Sequence, residues 1–130
     1  MILETLQKSD TDCCIRLVIS SIALGMGADL RHISRIIHAG PPTTMEAYVQ
    51  EVGRAGREDM QAQAILFYNS SDLGVKHIRA EMKNYCQTKK CLREVINEFF
   101  GFSTEIKPLN CCSVCQSELS IEWDFGNLLL

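Results

Sequence analysis

The stretch from Ile33 to Tyr68 constrains the fold most. Ile33 to His38 (ISRIIH) is short and rich in β-branched residues, which suits a buried strand. Gly40-Pro41-Pro42 breaks it. Thr44 is placed to cap a helix over Met45 to Val52, with Ala47, Tyr48 and Glu51 at helical spacing. Gln63 to Tyr68 (QAILFY) reads as another strand. Strand, helix and strand joined by a short crossover is the pattern of a parallel sheet. Upstream, Ile15 to Ile19 (IRLVI) has the same composition and leads into a Gly25-Met26-Gly27 turn, so a further strand is expected there. The expected fold class is α/β.

Residues 71–115 read differently, without strands. Ser71 and Asp72 offer caps for a helix over about Leu73 to Tyr85. A second helix is expected over about Lys89 to Phe100, with Gly101 as its stop. Its apolar positions Cys91, Val95, Ile96, Phe99 and Phe100 share one face. The tail, residues 116–130, carries Trp123 and three closing leucines in no interpretable pattern.

Composition enters through the cysteines. The 130 residues contain no apolar run of about 18, so no membrane span is expected. The start, MILETLQKSD, lacks the basic and apolar regions of a signal peptide, and an intracellular setting is expected. A reducing compartment disfavours a disulfide framework for the seven cysteines. Cys13 and Cys14 precede an apolar run and suit packing at a strand edge. Cys86, Cys91, Cys111, Cys112 and Cys115 cluster in the last third, which suggests a metal site.

The most informative motif is Gln50-Glu51-Val52-Gly53-Arg54-Ala55-Gly56-Arg57. Two arginines three residues apart are expected on one side of a helical turn, where two guanidinium forks suit a polyphosphate. Such arginines can stabilise charge on a transferring γ-phosphoryl group. Gln50, one turn earlier, can position a water or hydroxyl. The same spacing also fits a helix end with solvated arginines and packing glycines.

QEVGRAGRE resembles motif VI of superfamily-two helicases in the form used by the RecQ family of DNA helicases. Upstream, Ile22-Ala23-Leu24-Gly25-Met26-Gly27-Ala28-Asp29 is similar to that family's motif V. Ile36-Ile37-His38 and Met45 to Glu51 fit the strand and helix between the two motifs, and the resemblance covers roughly residues 2–115. It implies the back half of a second RecA-like lobe over 1–70 and a RecQ-type helical zinc-binding subdomain over 71–115. The implied activity is that of an ATP-dependent 3′–5′ DNA helicase, nuclear if the host is eukaryotic.

Carried over by position, the resemblance makes Arg57 the arginine finger and Arg54 its companion facing the phosphates. Gln50 would lie near the nucleotide. Gly25, Gly27 and Asp29 would link the DNA groove to the nucleotide cleft, and Asp29 also fits a plain turn or cap. Leu30 stands where the family often has lysine, and Leu24 where it has phenylalanine. His38 fits a strand-end core histidine better than a catalytic one.

The resemblance also implies a structural four-cysteine zinc site. Cys91 matches the helix ligand, and Cys112 and Cys115 match the last two. The fourth position is altered. Cys111 is the favoured ligand although it adjoins Cys112, and Cys86 is the alternative.

No G-x-x-x-x-G-K-[ST] and no acidic DEAH-like segment occurs in these residues, and the family's winged-helix and HRDC modules are not found in them. By itself this stretch is expected neither to hydrolyse ATP nor to unwind DNA, since nothing in it cradles the phosphates or the Mg ion. Three readings stay open. One is a piece of a helicase, one a non-enzymatic zinc-containing module that binds DNA or a helicase or repair partner, and one a redox thiol protein.

The net charge of −3 does not exclude DNA. Residues 31–93 hold ten Lys/Arg against six Asp/Glu, a local +4, and the acidic excess lies in the flanks. Lys76, Arg79 and Lys83 read as a basic helical face, with Lys89, Lys90 and Arg93 beyond it. A helicase's contacts would fall on backbone phosphates at a single-strand/duplex junction, because translocation ignores sequence. The alternative is a solvated face.

Overall fold

A computed structural model describes residues 15–21, 32–57, 60–103 and 106–116. The chain divides into two compact units, Met1–Lys83 and Asn84–Leu130.

In the first unit, β1 (Arg35–Ala39) pairs with β2 (Gln63–Phe67) in parallel, with Arg35 opposite Gln63 and Ala39 opposite Phe67. The helix α1 (Met45–Val52) forms the crossover between them. The expected α/β class and parallel pairing are thus present. Thr44 is extended, and its Oγ1 accepts the Ala47 amide at 3.1 Å, satisfying a donor that the helix start leaves open. Met45 and Tyr48, one turn apart on α1, are buried together with Ile78 and Met82 of the same unit. The Arg79 amide donates to the Thr43 carbonyl at 2.9 Å, tying the later segment to the start of α1.

Residues 15–21 form no strand, contrary to expectation. Ile19 is 90% exposed, and the sheet among the described residues contains only β1 and β2. β-branched composition favours extended backbone but cannot supply the hydrogen-bonded neighbour that makes a strand.

The expected helix over Leu73 to Tyr85 is instead two pieces, α2 (Ser70–Leu73) and α3 (Ala80–Gln87). Asn69, not Ser71 or Asp72, starts the first. Its side chain accepts the Asp72 amide at 2.9 Å, while Asp72 Oδ2 accepts the Asn69 amide at 2.8 Å. The helix closes at Gly74 after one turn.

In the second unit, α4 (Leu92–Phe99) is shorter than expected at its start, with Cys91 standing as its N-cap. Gly101 ends it as anticipated. It takes φ +78°, and the Phe102 and Gly101 amides return to the Asn97 and Glu98 carbonyls, a Schellman closure. Of the apolar face, Cys91 and Val95 are buried, Ile96 is half-buried, and Phe99 and Phe100 are exposed and stacked edge to face. No helix among the described residues is long and apolar enough to cross a membrane.

Candidate functional site

In the first unit the glycine–arginine motif does not continue the helix. α1 ends at Val52, the Gly53 amide closes on the Val49 carbonyl at 2.9 Å, and the Arg54 and Ala55 amides follow in a turn. Gly56 then takes φ +72°, and its amide donates to the Ile33 carbonyl at 3.1 Å, pinning the loop beside the approach to β1. A Cβ at Gly56 would lie 3.0 Å from the Met60 carbonyl oxygen and 3.1 Å from the Ala62 Cβ. The two arginines therefore sit on a loop past the helix, not on one side of a helical turn as expected. Arg54 is half-buried and Arg57 exposed, while Gln50 is exposed on α1.

Behind the loop, His38 Nε2 and Glu51 Oε2 lie 2.6 Å apart, and the imidazole is tilted against Tyr48 with ring centroids 5.4 Å apart. The pair joins β1 to the turn of α1 that carries Gln50. Reading the sequence singled out each residue but not their contact, because thirteen residues of separation leave no periodic signal.

Gly25, Gly27 and Asp29, expected in the nucleotide and DNA groove, lie outside the described residues, as do Cys13, Cys14 and Trp123. Lys76 and Arg79 are exposed but precede α3, so the basic face is helical only at Lys83, which is half-buried.

In the second unit the side-chain sulfurs of Cys91, Cys111, Cys112 and Cys115 all lie within 4.8 Å of one another. The Cys91–Cys111 separation is 3.4 Å and the Cys112–Cys91 separation 3.9 Å. A tetrahedral centre with sulfurs about 2.3 Å from the metal has edges of about 3.8 Å. The donor set and its spacing fit a four-thiolate metal, and the group includes Cys111, not Cys86. Cys91 reaches it from the N-cap position, which explains why it makes no side-chain capping bond.

The surroundings are built around this cluster. The Leu92 amide donates to Cys112 Sγ at 3.4 Å, and Arg93 Nε donates to the Cys111 carbonyl at 2.9 Å. Lys107 Nζ meets Glu94 Oε1 at 2.7 Å. Burial works to raise the Cys112 thiol, but hydrogen bonds from backbone groups of Cys115 and Leu92 outweigh it and bring the thiol down to about 6. Side-chain hydrogen bonds with Cys91 and Cys112 push Cys115 up to about 12. Burial, then the Cys91 hydrogen bond, raises Cys111. Four sulfurs this close cannot all ionise together unless a cation holds them. Cys86, outside the group, is raised by burial alone.

Comparison with known proteins defines the class first. Residues 2–59 match the helicase conserved C-terminal domain. The ATP-dependent DNA helicase RecQ of Pasteurella multocida is 30% identical over 129 residues, covering 86% of this chain and 20% of the relative. RecQ of Bacillus subtilis is 30% identical over 118 residues, covering 78% of this chain and 19% of the relative. The ATP-dependent DNA helicase Q1 of Pongo abelii is 36% identical over 117 residues, covering 78% and 18%. The chain carries a RecQ-family helicase C-terminal region. It spans about a fifth of the length of these relatives.

Proposed function

We propose that these residues serve an ATP-dependent 3′–5′ DNA helicase, as the later part of its second RecA-like lobe and a zinc-binding subdomain. The observation that carries the reading is the Gly53–Arg57 loop. It breaks from α1 and is pinned to the approach of β1, and together with Gln50 to Val52 its sequence resembles helicase motif VI. In that role Arg57 is the arginine finger and Arg54 its companion. Gln50 orients a water or hydroxyl. All three act on ATP and Mg held by a first lobe that these residues do not include. By the resemblance to motif V, the role assigned to Gly25, Gly27 and Asp29 is to link the DNA groove to the nucleotide cleft.

Cys91, Cys111, Cys112 and Cys115 hold a structural zinc, which supplies a cross-link between the start of α4 and the cysteine loop. Four thiolates leave no open coordination position, so the ion takes no part in hydrolysis. Lys76, Arg79 and Lys83 meet backbone phosphates of DNA. A DNA substrate places the protein in the nucleus if the host is eukaryotic.

The test replaces the matching region of Bacillus subtilis RecQ with this chain and measures DNA-stimulated ATP hydrolysis. The chimera is expected to hydrolyse ATP. Arg57→Ala is expected to lose about 10³-fold in kcat while still binding ATP. A chimera that binds DNA and zinc but never hydrolyses ATP supports the binding-module reading instead.

A further inference from the structure

We infer that Arg93 is a positioning residue for the cysteine centre, the group that lets two neighbouring cysteines serve one metal. The inference rests on the metal reading proposed above.

Adjacent residues in extended backbone send their side chains to opposite faces. Cys111 and Cys112 can therefore share one ion only if the peptide between them is held in another orientation. The carbonyl of Cys111 belongs to that peptide, and peptide planarity makes its direction fix the plane of the whole unit. Arg93 Nε donates to this carbonyl at 2.9 Å. One residue earlier, the Leu92 amide donates to Cys112 Sγ at 3.4 Å. One residue earlier again, Cys91 Sγ lies 3.4 Å from Cys111 Sγ.

Three consecutive residues at the start of α4 thus engage the adjacent pair, Cys91 at both sulfurs and most closely at that of Cys111, Leu92 at that of Cys112 and Arg93 at the peptide carbonyl between them. The first is a ligand, the second an unremovable backbone contact, and the third a side chain that a substitution can delete. A four-thiolate zinc centre also carries a net charge of −2, and a guanidinium fixed at its edge offsets part of it. Arg93 is thereby withdrawn from the basic face with which its sequence position grouped it.

The test uses the full 130-residue chain loaded with Zn(II), or with Co(II) as a spectroscopic probe. Metal capture by a coloured chelator gives the affinity and release rate, and the Co(II) absorption reports the number of thiolates. Arg93→Ala is expected to weaken zinc binding about 10- to 100-fold. Its Co(II) spectrum is expected to move toward that of Cys111→Ser. Arg93→Lys keeps a charged donor and is expected to recover most of the affinity, and Lys90→Ala is expected to leave it unchanged. If Arg93→Ala does not fold, Arg93→Gln is read in its place, with an intermediate loss expected.

Affinity within twofold of the unaltered chain, with the same Co(II) spectrum, overturns the role of Arg93 while leaving the metal reading intact. An unaltered chain that takes up neither ion overturns the metal reading, and this inference with it.

Discussion

His38 on β1 and Glu51 on α1 meet at 2.6 Å, with side chains only 12% and 22% exposed. The contact locks the strand to the helix that delivers the arginine loop, at the turn just before Gly53. A partly buried bond to a carboxylate contributes about 1–2 kcal/mol. His38→Ala and Glu51→Ala are each expected to lower the unfolding free energy from urea titration by that amount. The double variant should lose less than the sum of the two, because the partners share one interaction. Full additivity in the urea titrations would show that the contact is not formed.

Gly56 combines a left-handed φ of +72° with a Cβ position only 3.0 Å from the Met60 carbonyl oxygen. A side chain there meets backbone strain and a clash together. Gly56→Ala is expected to cost about 2 kcal/mol. Gly53→Ala should cost less: its Cβ would also come within 3.0 Å of a backbone oxygen, that of Val49, but φ at Gly53 is −65°, so backbone strain is not added to the contact. Thermal melts of the two variants check the order.

Zinc removal should affect the second unit selectively. With a strong chelator, Cys91 no longer anchors the start of α4. Loss of helical circular dichroism and a fall of at least about 10 °C in that unit's melting temperature are expected. Cys115→Ser should resemble the chelated protein. Cys86→Ser, outside the cluster, should retain the metal.

DNA binding through backbone phosphates predicts a salt signature. In the chimeric helicase, neutralising Lys76, Arg79 and Lys83 together should weaken single-stranded DNA binding at all sequences alike. The slope of log affinity against log salt should flatten by about 2, since each phosphate left without its cationic partner removes about 0.7. An unchanged slope would show that these residues face solvent.

Much of the fold is legible where local chemistry is self-contained. Thr44 capping α1 and the Gly101 stop each depend on a few neighbouring residues, and the parallel β1–β2 pairing, 28 residues apart, follows from the strand–helix–strand order with one short crossover. Expectation fails where a partner decides. The Ile15–Ile19 run has strand composition, but a ladder needs a neighbouring strand that composition does not specify. Residues 74–79 do not continue the helix, because the Asn69–Asp72 capping box starts α2 early and Gly74 closes it after one turn. The Asn-x-x-Asp spacing that marks this box is itself present in the sequence. At the cysteine centre, Cys111 and not Cys86 lies among the four neighbouring sulfurs. What allows it, the Arg93 contact with the peptide between the adjacent cysteines, spans eighteen residues and leaves no trace in spacing.

The most direct measurement is strand separation by the chimera carrying these residues, on DNA duplexes with a 3′ or a 5′ single-stranded tail and on the matching RNA duplexes. A RecQ-type role predicts ATP-dependent unwinding of the 3′-tailed DNA alone, abolished by Arg57→Ala. No unwinding by a folded, zinc-loaded chimera, under conditions in which the intact Bacillus subtilis enzyme unwinds the same DNA, would contradict it.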